Sequence, residues 1–179
     1  MLLSHNELLE LIECGVIENA KPDAVNSASI DVHLGDVIMV EDFSSGPQLI
    51  DYRAREKPAM KKVHLHEDGF VLEPNQFILA QTVEVFHLPL DISAEYKLKS
   101  SMARIGLEHL NAGWCDAGWH GSVLTLELVN VSRYHSIIIR PGDPIGQMVF
   151  FRHAPVPPER SYATRGRYNK DRIVRTIKE

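Results

Sequence analysis

Apolar positions recur along this chain with two different periods. Near the start, Leu8, Leu9, Leu11 and Ile12 follow a Ser4 and Glu7 pair in the spacing of a capping box, with Gly15 placed to end the turn, so a short amphipathic helix is expected over residues 5–14. From there on the pattern is that of strands. Runs rich in aliphatic and β-branched residues occupy Ser29–Val40, Phe70–Leu72, Gln76–Phe86, Ile92–Leu98, Ser122–Val131, Ser136–Ile139 and Ile145–Phe151. Gly69, Pro74-Asn75, Pro89, Gly118, Gly121, Pro141-Gly142 and Pro144 punctuate them. Many short strands with no helices between them predict a mainly β fold, an antiparallel jelly-roll or barrel rather than a parallel α/β sheet. Residues 42–68 carry Ser44-Ser45-Gly46-Pro47 and clustered charge without clean periodicity, and read as a long surface excursion.

Composition narrows the class. The 179 residues, 44% hydrophobic and 24% charged, suit one domain over residues 1–179 with a core able to fold unaided. A net charge of -5 speaks against a general nucleic-acid or anionic-membrane binder, which would carry a basic excess. Cys14 and Cys115 stand far apart in no metal-like spacing, so a reducing, cytoplasmic setting is expected. No apolar run approaches the roughly 18 residues a membrane span needs, and the first residues lack the pattern of a secretory leader. From Pro155 the chain turns proline-rich and then basic, with Arg160, Arg165, Arg167, Lys170, Arg172, Arg175 and Lys178. Such a tail is either a solvated terminus or a flexible flap that closes over an anion.

Three segments carry chemistry. In Lys99-Ser100-Ser101-Met102-Ala103-Arg104, two hydroxyls and two cations follow a strand, a set suited to phosphate oxygens, although alone it also reads as a solvated turn. The stretch Ala112 to Gly121 gathers three glycines and two tryptophans around Asp116, which fits close backbone approach to a ligand or a tight hairpin with core tryptophans. In Val123 to Leu128 a period of two sets Leu124, Leu126 and Leu128 on one face and Val123, Thr125 and Glu127 on the other. A lone carboxylate there is either solvent-facing or an acid/base group beneath the phosphate loop. The nine histidines form no zinc-deaminase signature, and no Walker loop, dinucleotide-binding glycine motif or nucleophile elbow is present.

Taken together, the segments resemble the dCTP deaminase branch of the trimeric dUTPase superfamily. The matching elements are Ser29-Ile30-Asp31-Val32-His33-Leu34-Gly35, Lys99 to Arg104, Ala112 to Gly121, Leu126-Glu127-Leu128, Pro141-Gly142 with Ile145-Gly146-Gln147, and Tyr162 with Arg167-Tyr168. The resemblance implies a dUTPase-like distorted β-barrel or jelly-roll, a homotrimer with sites shared between neighbours, and magnesium that arrives with the nucleotide triphosphate, without zinc. It implies Glu127 as acid/base, with Ser100 and a carbonyl near Ala112 holding the attacking water and Arg104 ordering the site. Lys99, Ser101 and Gln147 would meet the triphosphate, Asp116 the deoxyribose, and Ala112, Gly113 and Trp114 the base region. Tyr162, Arg167 and Lys170 would belong to a closing C-terminal segment from about residue 155.

The chain also departs from that pattern. The stretch between Arg104 and Ala112 is one residue shorter and that between Asp116 and Glu127 one longer, with Asn111 where threonine is usual and Arg167 where lysine is usual. Gly113-Trp114 matches the branch that also hydrolyses dUTP to dUMP and diphosphate. The expected activity is therefore hydrolytic deamination of dCTP to dUTP and ammonia, with onward hydrolysis to dUMP. A dUTP pyrophosphatase without deamination and a non-catalytic nucleotide-binding trimer are the alternatives.

Overall fold

The structure is a computed structural model that describes residues 1–178. Its elements in chain order are α1 (His5–Glu13), β1 (Ile17–Glu18), β2 (Ile30–His33), β3 (Val37–Glu41), β4 (Met60–His64), β5 (Phe70–Leu72), β6 (Phe77–His87), β7 (Ile92–Leu98), α2 (Ser100–Arg104), β8 (Leu107–His109), β9 (Trp114–Cys115), β10 (His120–Asn130), β11 (Ile137–Ile139), β12 (Pro144–Arg152) and α3 (Tyr162–Arg165). The predicted helix is present. Its capping box closes as expected, with the Ser4 N–H donating to Glu7 Oε2 at 3.0 Å, and Leu8 and Leu11 enter the core. The Ser4 N–H also holds the Glu7 carboxyl below its usual range.

Every strand pairing is antiparallel. One sheet runs β4-β3-β6-β10-β8 with β1 added on β6, a second runs β2-β12-β7-β9, and β5 pairs with β11. Side chains at alternate positions of both larger sheets meet in one core, in which Ile30, Val32, Ile38, Ile78, Phe86, Leu126, Met148 and Phe150 are essentially buried. The mainly β expectation is met.

Two expectations need correcting. The run Ser29–Val40 is two strands, because the chain leaves the β12 sheet after His33 and joins the β6 sheet at Val37, with the Gly35 N–H donating to the Gln81 carbonyl at 2.7 Å in between. Apolar alternation reports strand content, not the corner where a strand changes sheet. The excursion 42–68 also holds β4, in register with β3 from Val37↔His64 to Glu41↔Met60. Its exposed Lys61 and Lys62 hide the alternation, and such lysines suit a sheet edge that must not pair further. Strands β1, β8 and β9 are too short for any period to show, and α2 and α3 are single turns beyond the one expected helix.

The tail lies against the body. Trp119 Nε1 and Ser122 Oγ both donate to the Tyr168 carbonyl, at 2.8 and 2.9 Å, and the Val123 N–H donates to the Asp171 carbonyl at 2.8 Å. Val174 is buried against Val37 and Leu79, and its N–H donates to Gln81 Oε1 at 2.8 Å.

Candidate active site

Tyr96 on β7 organises the region. It is buried, its backbone N–H donates to the Gly113 carbonyl at 2.8 Å, and its hydroxyl donates to the Ile145 carbonyl at 3.3 Å. Burial pushes the hydroxyl's pKa well above its usual value. The ring covers Gly146 so closely that a Cβ there would lie 2.1 Å from Cε2, and a Cβ on Gly113 would lie 2.9 Å from the Tyr96 backbone oxygen. Two glycines are therefore fixed by one residue, Gly146 by the Tyr96 ring and Gly113 by the Tyr96 backbone. On that ring stands His109 of β8, with centroids 4.6 Å apart and planes 56° apart.

His109 and Glu127 face one another. The imidazole is 5% exposed, and its Nε2 lies 3.4 Å from Glu127 Oε2. Both atoms are buried and neither makes a hydrogen bond: the pair is close enough for an ion pair but not aligned for a bond. Strand β10 places the carboxylate by pairing Glu127 with Leu79 of β6, while the Leu110 N–H donates to the Glu127 carbonyl at 3.0 Å. A buried oxygen without a partner is costly, and it is a position where a water or a substrate atom is favoured.

A cavity of about 380 Å³ opens beside Glu127. Ala112, Trp114 and Asp116 line it from the loop that carries β9, Thr125 from β10, and Tyr162, Tyr168, Asp171 and Arg175 from the tail. Trp114 Nε1 donates to Asp116 Oδ1 at 2.9 Å, which fixes one carboxylate oxygen and leaves the other for a ligand hydroxyl or water. Of the two tryptophans, Trp119 is a core residue stacked on Phe86, whereas Trp114 is 56% exposed. Tyr162 is held by its N–H to the Ala117 carbonyl at 3.0 Å, and burial raises its pKa. Burial, with the Asp116 charge beside it, raises that of the Cys115 thiol. Asp171 draws Arg175 and Lys178 to itself at 3.0 and 2.7 Å.

The other candidate residues lie elsewhere. Ser100, Ser101 and Arg104 are exposed on α2, with Arg104 Nε donating to Ser100 Oγ at 3.4 Å. Lys99 is ion-paired with Asp31, and Gln147 accepts from Ser29 Oγ at 2.8 Å. None of these five lines the cavity. Arg167 and Lys170 are exposed on the tail between Tyr162 and Asp171, and neither lines it. One chain thus presents two separate groups, one around Glu127 at the cavity and an exposed one around α2. Among the described residues no three His, Cys, Asp or Glu side chains are grouped so as to hold a metal ion.

Residues 2–153 match the family described as dCTP deaminase-like. The chain belongs to that family. Relatives named dCTP deaminase, dUMP-forming, include those of Methanospirillum hungatei, 36% identical over 84% of this chain and 81% of the relative, and of Aquifex aeolicus, 38% identical over 97% and 92%. A third, from Nocardioides sp., is 39% identical over 92% of this chain and 86% of its own. Among solved structures, the 2'-deoxycytidine 5'-triphosphate deaminase of Agrobacterium tumefaciens superposes with a TM-score of 0.67 at 26% identity over 85% of this chain. The chain spans about half of that neighbour's length, 48%.

Within this dCTP deaminase-like fold, sequence reasoning missed His109 and Asp171, and it named Tyr168 only within the motif Arg167-Tyr168 and Arg175 only within the basic tail, without assigning either to the cavity. His109 had a faint signal, an imidazole three residues before Ala112 in the alternation Leu107-Glu108-His109. Asp171 had none, because only the path of the tail brings it to the cavity. The departure at Asn111 has a local cause: its φ is +60°, a left-handed conformation that asparagine tolerates and β-branched threonine does not. The shortened loop turns at that residue.

Proposed function

We propose that this chain is a dCTP deaminase of the dUMP-forming kind, a hydrolase of pyrimidine deoxynucleotide metabolism. The observation that carries the reading is the buried, unpartnered Oε2 of Glu127 at the wall of a cavity, in a chain 36% to 39% identical to relatives that bear that name. Glu127 takes a proton from water, and the hydroxide adds to C4 of cytosine. The carboxylic acid protonates N3; Glu127 then takes the proton of the new C4 hydroxyl and passes it to the 4-amino group, the C4–N bond breaks, ammonia leaves and the C4 carbonyl of dUTP forms. The carbonyl of Ala112 and the hydroxyl of Ser100 hold the water. Asp116, pinned by Trp114, faces the deoxyribose and orients a second water toward the α-phosphorus of dUTP, releasing diphosphate.

Ser100, Ser101, Arg104 and Gln147 would supply the phosphate grip from a neighbouring subunit, with Lys99 backing that loop through Asp31. Their position outside their own chain's cavity supports a homotrimer with shared sites. Magnesium fits the triphosphate better than the protein: with no ready cluster of donors among the described residues, phosphate oxygens and water would be its ligands, and it would neutralise charge on the leaving diphosphate. Tyr162, Arg167 and Lys170 would close over the bound nucleotide. A cytoplasmic setting suits the two free cysteines.

The test is product analysis. Purified protein given dCTP and magnesium should release ammonia and diphosphate, and Glu127→Gln should lower ammonia release by about 10²- to 10⁴-fold while keeping its thermal midpoint. Ammonia formation by the variant at the parent rate would remove Glu127 from the mechanism. Accumulation of dUTP without diphosphate would restrict the enzyme to deamination.

A further inference from the structure

The motif Ser29-Ile30-Asp31 matches the family, yet the functional reading gives Ser29 no task. The structure joins it to the phosphate group of residues through a chain of hydrogen bonds. Lys99 Nζ donates to Asp31 Oδ2, Asn26 Nδ2 donates to Asp31 Oδ1 at 2.9 Å and to Ser29 Oγ at 3.4 Å, and Ser29 Oγ donates to Gln147 Oε1 at 2.8 Å. Ser29 is 8% exposed, and β2 and β12 hold Asp31 opposite Gln147 in register.

Donor and acceptor capacity gives this chain a direction. An ammonium only donates and a carboxylate only accepts, so Asn26 must turn its amide nitrogen, not its oxygen, toward Asp31. The second N–H of that amide reaches Ser29, whose hydroxyl therefore acts as acceptor there and has its single proton left for Gln147. Gln147 consequently accepts with its oxygen, and its NH₂ points away from the relay. Among the described residues that NH₂ has no partner. An amide held this way offers two N–H donors and no acceptor, the arrangement that suits an anion.

We propose that Ser29, set by Asn26 and Asp31, is a positioning residue that locks the Gln147 carboxamide with its N–H groups toward the substrate's phosphates. The inference rests on the reading that Gln147 belongs to the phosphate grip. Without the Ser29 hydroxyl, the amide is free to flip and present its oxygen to the triphosphate, which repels it.

The experiment uses the full chain with dCTP as substrate and inorganic tripolyphosphate as inhibitor. Ser29→Ala should raise KM for dCTP and the inhibition constant of tripolyphosphate together by about 3- to 10-fold, the equivalent of one net hydrogen bond, with kcat nearly unchanged. Ser29→Thr, which keeps the hydroxyl, should restore both constants. Asn26→Ala, which frees the hydroxyl without removing it, should move both in the same direction as Ser29→Ala. In a Gln147→Ala background, Ser29→Ala should have no further effect, and full additivity would overturn the relay. A Gln147→Ala variant still inhibited normally by tripolyphosphate would instead refute the placement of Gln147 at the phosphates. Weaker inhibition in Gln147→Ala but not in Ser29→Ala would refute the relay alone. Equal falls in kcat and thermal midpoint for Ser29→Ala, without rescue by threonine, would make Ser29 merely structural.

Discussion

The Glu127 region and the Gln147 region treat their polar atoms in opposite ways. Around Glu127, two buried atoms, Oε2 and His109 Nε2, sit 3.4 Å apart and make no bond. Around Gln147, the amide oxygen is satisfied by Ser29 and only the outward N–H groups are left. An unsatisfied buried polar atom costs about 1–3 kcal/mol, so the first region carries a strain that a bound water or substrate would relieve. The second is fixed in orientation before anything binds. On the proposed reading, the difference separates a place for proton transfer, which needs an atom able to change partners, from a place for grip, which needs donors that cannot turn away.

Breaking the first region at its carboxylate, through Glu127→Gln, has the largest expected effect. Next comes the scaffold that the two regions share. Gly146→Ala pushes a methyl into the Tyr96 ring, and because that ring supports both His109 and the strand of Gln147, urea unfolding should show a loss of about 3 kcal/mol, the upper end for overpacking. His109→Phe keeps a ring on Tyr96 but removes both nitrogens. In steady-state assays kcat should fall about tenfold, roughly 1.4 kcal/mol, with KM little altered. A rate equal to the parent's would mean that His109 only packs.

Smaller effects sharpen the comparison at its margins. Asn111→Thr places a β-branched residue at φ +60° and should cost about 1 kcal/mol in urea unfolding, whereas Asn111→Gly should be nearly neutral. The smallest effect concerns how the tail is clasped. Arg172 and then His87 hold the Glu18 carboxyl down at about 2 from its ordinary 4.5. A carboxyl depressed in the folded state contributes stability above its unfolded value, and that contribution is lost as pH falls from 4.5 toward 2. Trp119 fluorescence should report the loss, since the indole N–H bonds to the Tyr168 carbonyl of the tail. Arg172→Ala should flatten the response.

The sequence alone determined whatever depends on near neighbours. The capping box of α1, the period of two that sets Glu127 opposite Leu126 and Leu128, and the mainly β composition are local regularities, so they were readable before any contact was known. The ordered motifs carried the family as well. Tertiary structure decided the rest, because it depends on residues distant along the chain. The corner at Gly35, the pairing of β4 with β3, and the approach of His109 to Glu127 across the β8–β10 pair leave no periodic trace. The same holds for the tail at the cavity and for the relay from Asn26 to Gln147, which spans most of the chain's length. A hydrogen bond between distant residues is encoded only in the fold that brings them together, since a serine's neighbours in sequence do not reveal which amide it will orient.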